Sequence, residues 1–149
     1  MAKRFTHSSS KTAKLVAEYL DHRDEEVMEA LVTAGGLVAL ADERVEAVER
    51  DELVNFIDRQ QLVPTISQHD IAEAFDNRVR QLEDRDSVQV IVDALMAGLS
   101  LASVVIRAAG RVAAADGKIH ASELQAIKLI RLILMTLSAM RPTVPSRAL

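Results

Sequence analysis

The sequence contains no cysteine and no tryptophan, and aromatic residues make up only 3% of it. Without cysteine the chain cannot form a disulfide, a thiolate nucleophile or a cysteine metal site, and we expect a reducing, cytoplasmic location. The few aromatic side chains leave little on which nucleic-acid bases could stack. A net charge of −4 also argues against nucleic acid as a partner.

Motifs of familiar enzyme classes are missing as well. There is no phosphate-binding loop, no dinucleotide fingerprint and no serine elbow. The histidines are scattered, and none has the paired spacing of a zinc hydrolase helix: His7, His22, His69 and His120. We therefore expect a protein that is not an enzyme.

The longest apolar run, residues 88–106, is nearly long enough to span a bilayer. Asp93 lies inside it, and Gly98 and Ser100 interrupt it. These residues favour a buried pair of helices over a membrane span.

The composition, with 49% hydrophobic and 27% charged residues, is typical of a globular domain. We predict one domain over residues 1–149, with an ordered core at 10–140 and flexible ends at 1–9 and 141–149. Residues 1–14 lack an apolar core, so we expect no signal peptide.

One segment of the sequence occurs twice. Residues 34–49 align without a gap with residues 108–123, and both copies keep their small residues, one Asp and one Glu. Each copy predicts a helix, a tight turn and a second helix. In the second copy Gly117 can adopt the left-handed conformation that ends a helix.

The repeated acids have two interpretations, and the residues alone leave both open. Glu49 and Glu123 can cap their own helices by reaching back to free amides, while Asp42 and Asp116 fold over their turns as acceptors. Alternatively, all four carboxylates converge on a divalent cation. An Asp in the last turn of a helix is disfavoured by the helix dipole, and either a local hydrogen bond or a cation would offset that cost.

Residues 116–123 look like half of an EF-hand loop, but Val112 and Ala114 stand where the other half needs oxygen ligands. The segment is therefore not an EF-hand. His120 lies beside the second turn, where it is either a further ligand or a residue of the helix start.

The pattern of caps and apolar positions predicts an all-α bundle of about seven helices. The first is expected from Ser10 to Leu20 after a loose arm, with a polar break at 21–23, and the second at 24–41. The third is predicted at 47–61, the fourth after Ser67, the fifth after Ser87, the sixth at 100–115 and the seventh from 121.

Two features concern helix contacts. Gly35 and Gly36 in mid-helix cost stability, which is tolerable where another helix approaches closely, and Gly110 holds the matching place. The seventh helix is apolar nearly all round, so it is either central or covered by a protein partner or a second copy. The residues predicted for such an interface are Ile130, Leu134 and Leu137.

The doubled Ala-Asp-x-x-Val/Ile-x-x-x-Glu unit after a small-residue helix resembles the tellurite-resistance TerB-like family over about residues 24–134. The resemblance implies a helical bundle with pseudo-twofold symmetry and a cytoplasmic role in tellurite and other chemical stress. It also implies an acidic cluster that holds a divalent metal, Ca²⁺ or Mg²⁺. On this sequence the cluster maps to Asp42, Glu49, Asp116 and Glu123.

Two departures from the family pattern change the expectations. Glu43 replaces the turn glycine of the first copy, which predicts a different turn shape there. Residues 135–149 replace the family's glycine-containing ending, which favours self-association through the seventh helix.

Overall fold

The computed structural model describes the backbone of residues 2–84 and 87–140 and the side chains of residues 10–84 and 87–140. All the regular secondary structure of the described residues is helical. One 3₁₀ turn, Leu99–Leu101, joins the fourth and fifth of six α-helices, which are α1 (Ala2–Leu40), α2 (Ala47–Arg59), α3 (Gln68–Leu82), α4 (Val88–Ala97), α5 (Ala102–Ala113) and α6 (Ala121–Met140).

The first two predicted helices are one helix, α1, of 39 residues. The polar break expected at 21–23 does not form, because these residues include no glycine or proline and are compatible with an exposed helical turn. The next residue, Asp24, is fully buried and accepts hydrogen bonds from the backbone N and Oγ1 of Thr65, at 2.9 and 2.6 Å. The helix count within the described residues is therefore six rather than seven.

α1 begins at Ala2 and so includes residues 2–9, while the flexible end predicted at 1–9 stays a prediction. The flexible end predicted at 141–149 lies outside the described residues. The later helices begin and end close to the predicted residues. Ser67 caps α3, its side chain accepting a hydrogen bond from the backbone N of Asp70 at 3.1 Å.

The second half of α1 is the centre of the bundle and packs against α3, α4, α5 and α6. Its slim surface permits close approach: a Cβ at Gly35 would lie 2.9 Å from Leu53 on α2 and 3.3 Å from Val112 on α5. The tightest place is Gly98, where a Cβ would lie 2.2 Å from that of Ala30. Gly110 has no such neighbour, so the expected close approach applies to the first copy alone.

The apolar run at 88–106 forms α4 and the start of α5. In the described part of the chain, no single helix has the length and apolar character needed to cross a membrane. By length and composition only, α4 together with residues 99–113 passes the same test as a pair bent by 68°.

The face of α6 that we predicted as an interface is turned inward. Ile130, Leu134 and Leu137 are buried in the chain's own core and are not accessible to a partner. The structure corrects this choice of residues. Because α6 is apolar on two faces, periodicity does not indicate which of them the core covers. The exposed apolar residues of α6 are Leu124, Leu129, Leu132, Met135 and Met140.

Candidate metal centre

The two repeated turns have the same backbone conformation. Glu43 in the first and Gly117 in the second both have left-handed φ angles, +66° and +86°. The Asp that precedes each of them accepts a hydrogen bond from a backbone N–H two residues further on. These bonds are Arg44 N to Asp42 Oδ1, 3.1 Å, and Lys118 N to Asp116 Oδ1, 3.0 Å. The expected difference in turn shape is therefore absent. Glu43 adopts a left-handed conformation that is strained for glutamate but free of strain for glycine.

The helices after the two turns also start alike. The backbone N of Glu46 donates to Glu49 Oε1 at 2.8 Å, and the backbone N of His120 donates to Glu123 Oε1 at 2.9 Å. The capping interpretation of both glutamates is thus confirmed. Each bond occupies one carboxylate oxygen and leaves the second without that role, so capping and metal binding do not exclude each other.

The tertiary fold brings three of the four predicted carboxylates together. Asp42, Glu49 and Glu123 each offer an oxygen, and these oxygens lie within 4.8 Å of one another. Asp42 is half-buried, while Glu49 and Glu123 are 3% and 1% exposed. We call these three residues the acidic triad. The start of α2, the start of α6 and the turn after α1 supply one member each.

Asp116, the fourth predicted ligand, does not belong to this group. Its Oδ2 lies 3.6 Å from Nε2 of His120, four residues further along the chain in the turn between α5 and α6, and both side chains are substantially exposed. The imidazole of His120 therefore contacts Asp116, and only its backbone N contacts a member of the triad, Glu123. No signal in the sequence distinguishes Asp42 from Asp116, because both occupy the same place in the same local motif.

The electrostatics of the triad are those of carboxylates without a counter-ion. Among the side chains at 10–84 and 87–140, no lysine, arginine or histidine nitrogen lies within 4.0 Å of a triad carboxylate. Burial raises the pKa of Glu49 from 4.5 to about 7. The hydrogen bond from Glu46 opposes this shift, and the charges of Asp42 and Glu123 add to it.

The triad suits a hard divalent cation by its chemistry. Its only ligand atoms are oxygens, which Ca²⁺ and Mg²⁺ prefer. Buried charge is costly unless it is neutralised by a proton or paired with an opposite charge, and a cation would supply that charge here. Three carboxylates fill only part of a coordination shell of about six to eight oxygens, so water or backbone carbonyls would complete it.

The comparison with known proteins matches most of the chain to one family. Residues 28–138 match the family described as tellurite resistance protein TerB, and the chain belongs to that family. No curated protein and no solved structure matches the chain at a significant level. The matched region contains the whole acidic triad and both repeated turns.

Proposed function

We propose that this chain is a non-enzymatic module of the tellurite-resistance type that binds Ca²⁺ or Mg²⁺ weakly at the acidic triad. One observation carries the proposal: two nearly inaccessible glutamates and an aspartate converge with no basic side chain beside them in the described part of the chain. Since the chain contains no cysteine, it has no thiol chemistry for tellurium, and its part in resistance is indirect.

The repeat provides a matched test of this proposal. Asp42→Asn and Asp116→Asn are the same change at equivalent positions, and asparagine keeps the side-chain oxygen that accepts the turn hydrogen bond. We expect Asp42→Asn to weaken cation binding at least tenfold in calorimetric titrations with CaCl₂ and MgCl₂ after chelator treatment. Asp116→Asn should bind like the wild type, because Asp116 lies outside the triad.

The glutamates give a second arm to the experiment. Glu49→Gln and Glu123→Gln keep an oxygen for the cap but remove a ligand charge, so each should weaken binding as Asp42→Asn does. Equal heats from the wild type and all three triad variants would refute the metal site. Equal losses from Asp42→Asn and Asp116→Asn would show that the bound cations follow general surface charge instead.

A second candidate function is a protein-contact module, and it is favoured by the outer face of α6. Leu129, Leu132 and Met135 are each at least half exposed there, on the side opposite the core. Such residues typically mark contact surfaces when they lie together. We expect the paired variant Leu132→Glu with Met135→Glu to keep its melting temperature and to lower any assembly larger than a dimer, measured by light scattering. An unchanged mass distribution would remove α6 from this role.

A further inference from the structure

The first part of α1 projects beyond the bundle. Among the described side chains of this helix, those at 10–23 are exposed and Asp24 is the first that is buried. At 1.5 Å per residue, the segment 2–23 is about 33 Å long. A helix that makes no tertiary contact is only marginally stable in water, so a segment of this length is expected to have a partner.

The projecting segment carries an apolar stripe. Leu15 and Tyr19 are 65% and 67% exposed, and Val16 and Leu20 lie one position further on at the same spacing of four. We call these four residues the arm stripe. It continues along α1 towards a cavity of about 190 Å³ at the edge of the bundle, whose lining includes Tyr19, His22, Glu26, Val27, Ala97 and Leu101.

The charges along α1 are separated by sign. Residues 2–17 include four basic residues, Lys3, Arg4, Lys11 and Lys14, and no acid. Residues 18–29 include six acids and one basic residue, Arg23. A parallel pair of such helices would place like charges side by side. An antiparallel pair places the basic half of each helix beside the acidic half of the other, so the helix is complementary to itself.

We propose that the chain forms a twofold dimer in which the two α1 helices pack antiparallel through their arm stripes. The stripe is symmetric about the point between Ala17 and Glu18. In that register Leu15 lies opposite Leu20 of the second copy, and Val16 lies opposite Tyr19 of the second copy. The same surface serves both copies, so the contact closes at two chains.

The register also accounts for the charges. With the twofold axis between residues 17 and 18, Lys11 lies level with residues 24–26 of the second copy. Glu26 is close to half exposed and belongs to the edge of the cavity that continues the stripe. The residues of the arm before Lys11 then run alongside the second copy's cavity. The dimer thereby covers the stripe and extends over the acidic edge.

An anionic membrane surface fits the same helix less well. A helix that lies on such a surface is basic over its polar face, and its lysines and arginines are attracted by the lipid charge. Here five acids follow the stripe at 21–29, and a sixth, Glu18, lies within it. These acids would be repelled by anionic lipid, whereas in an antiparallel pair they lie beside the basic residues of the second copy.

The test is the mass of the full chain by light scattering after gel filtration. A dimer has twice the chain mass of 16.3 kDa, about 33 kDa. We expect the paired variant Leu15→Glu with Tyr19→Glu to run as a monomer whose bundle still unfolds cooperatively, since both residues are exposed in the single chain. The paired variant Leu132→Glu with Met135→Glu on α6 is the control and should remain a dimer.

Charge reversal tests the orientation. Lys11→Glu and Glu26→Lys should each weaken the dimer about tenfold at low salt, and the two changes together in one chain should restore it. Cysteine cross-linking gives a second measure, because the chain has no native cysteine. Val16→Cys lies about 5 Å along the axis from its copy and should cross-link, whereas Thr12→Cys lies about 16 Å away and should not.

Four results would overturn the proposal. A wild type that is monomeric at high concentration and low salt has no such dimer, and cross-linking at both cysteine positions would indicate a parallel pair. A dimer that survives the arm substitutions but is lost in the α6 control would place the contact on α6. Binding of the wild type to phosphatidylserine-rich vesicles, lost on arm substitution and without any dimer, would make lipid the occupant. None of these outcomes depends on cation binding at the triad.

Discussion

The turn after α1 and the turn after α5 have the same local structure and different surroundings. In each turn an Asp accepts a hydrogen bond from the backbone N–H two residues later, and the residue after the Asp has a left-handed conformation. A glutamate then caps the next helix. Yet Asp42 faces two buried glutamates, while Asp116 lies at the surface beside a histidine. The repeat therefore specifies the turn, and the neighbours of the turn decide whether its acid joins a cluster.

The largest expected effect is the pH dependence of cation binding at the first turn. The pKa of Glu49 is raised from 4.5 to about 7, so in the folded chain a proton competes with a cation below about pH 7. Cation affinity should fall by about tenfold per pH unit as the pH drops below 7, because binding then releases a proton. Titration calorimetry at several pH values, in buffers of different ionisation enthalpy, measures both the affinity and the released proton.

The same shift predicts the stability of the cation-free protein. A carboxyl group whose pKa is raised by folding holds its proton more tightly in the folded state. Its contribution to stability is therefore full below about pH 4.5, is lost as the pH rises towards 7, and stays lost above that. Melting curves of the wild type should show this decline, and those of Glu49→Gln should lack it. A decline that persists in Glu49→Gln would mean that another group is responsible.

An intermediate effect concerns the left-handed residues of the two turns. Gly117→Ala should lower the free energy of unfolding by about 1–2 kcal/mol, because alanine disfavours a positive φ angle. A Cβ at Gly117 would have no neighbour within 4 Å, so the cost is conformational rather than steric. Glu43→Gly should raise the free energy of unfolding by about 1 kcal/mol for the converse reason.

Glu43→Ala is the control for this pair of variants in denaturant titrations. It removes the charge next to Asp42 but keeps the strained angle, so it should give no comparable gain. If Glu43→Ala stabilises the protein as much as Glu43→Gly, then charge repulsion rather than backbone strain burdens the first turn.

The smallest expected effect concerns the second turn. His120→Ala removes the contact with Asp116, and exposed pairs of this kind contribute roughly 0–1 kcal/mol. The cap at the start of α6 should survive, because Glu123 accepts from the backbone N of residue 120 rather than from its side chain. Cation affinity should not change. A clear loss of affinity would show that the histidine does reach the triad.

Interactions between residues near each other in the chain were predictable, and those between distant residues were not. The caps at Glu49 and Glu123 were predictable, because the donor lies three residues away in the chain. The continuous α1 was not predicted, since its polar residues 21–23 resemble a break until Asp24 is seen to be anchored by Thr65 from a distant loop. The two apolar faces of α6 were visible in the sequence, but the one that meets the core was not.

Local sequence specifies the helical class, the left-handed turn at Gly117 and the caps that follow both turns, because these depend on bonds between residues at most a few positions apart. Which acids meet depends on how the helices pack. The packing of α2, α5 and α6 around α1 places Glu123 beside Asp42 and Glu49 and leaves Asp116 outside. Burial and charge proximity arise from contacts between distant parts of the chain, and a repeated local motif contains no information about them.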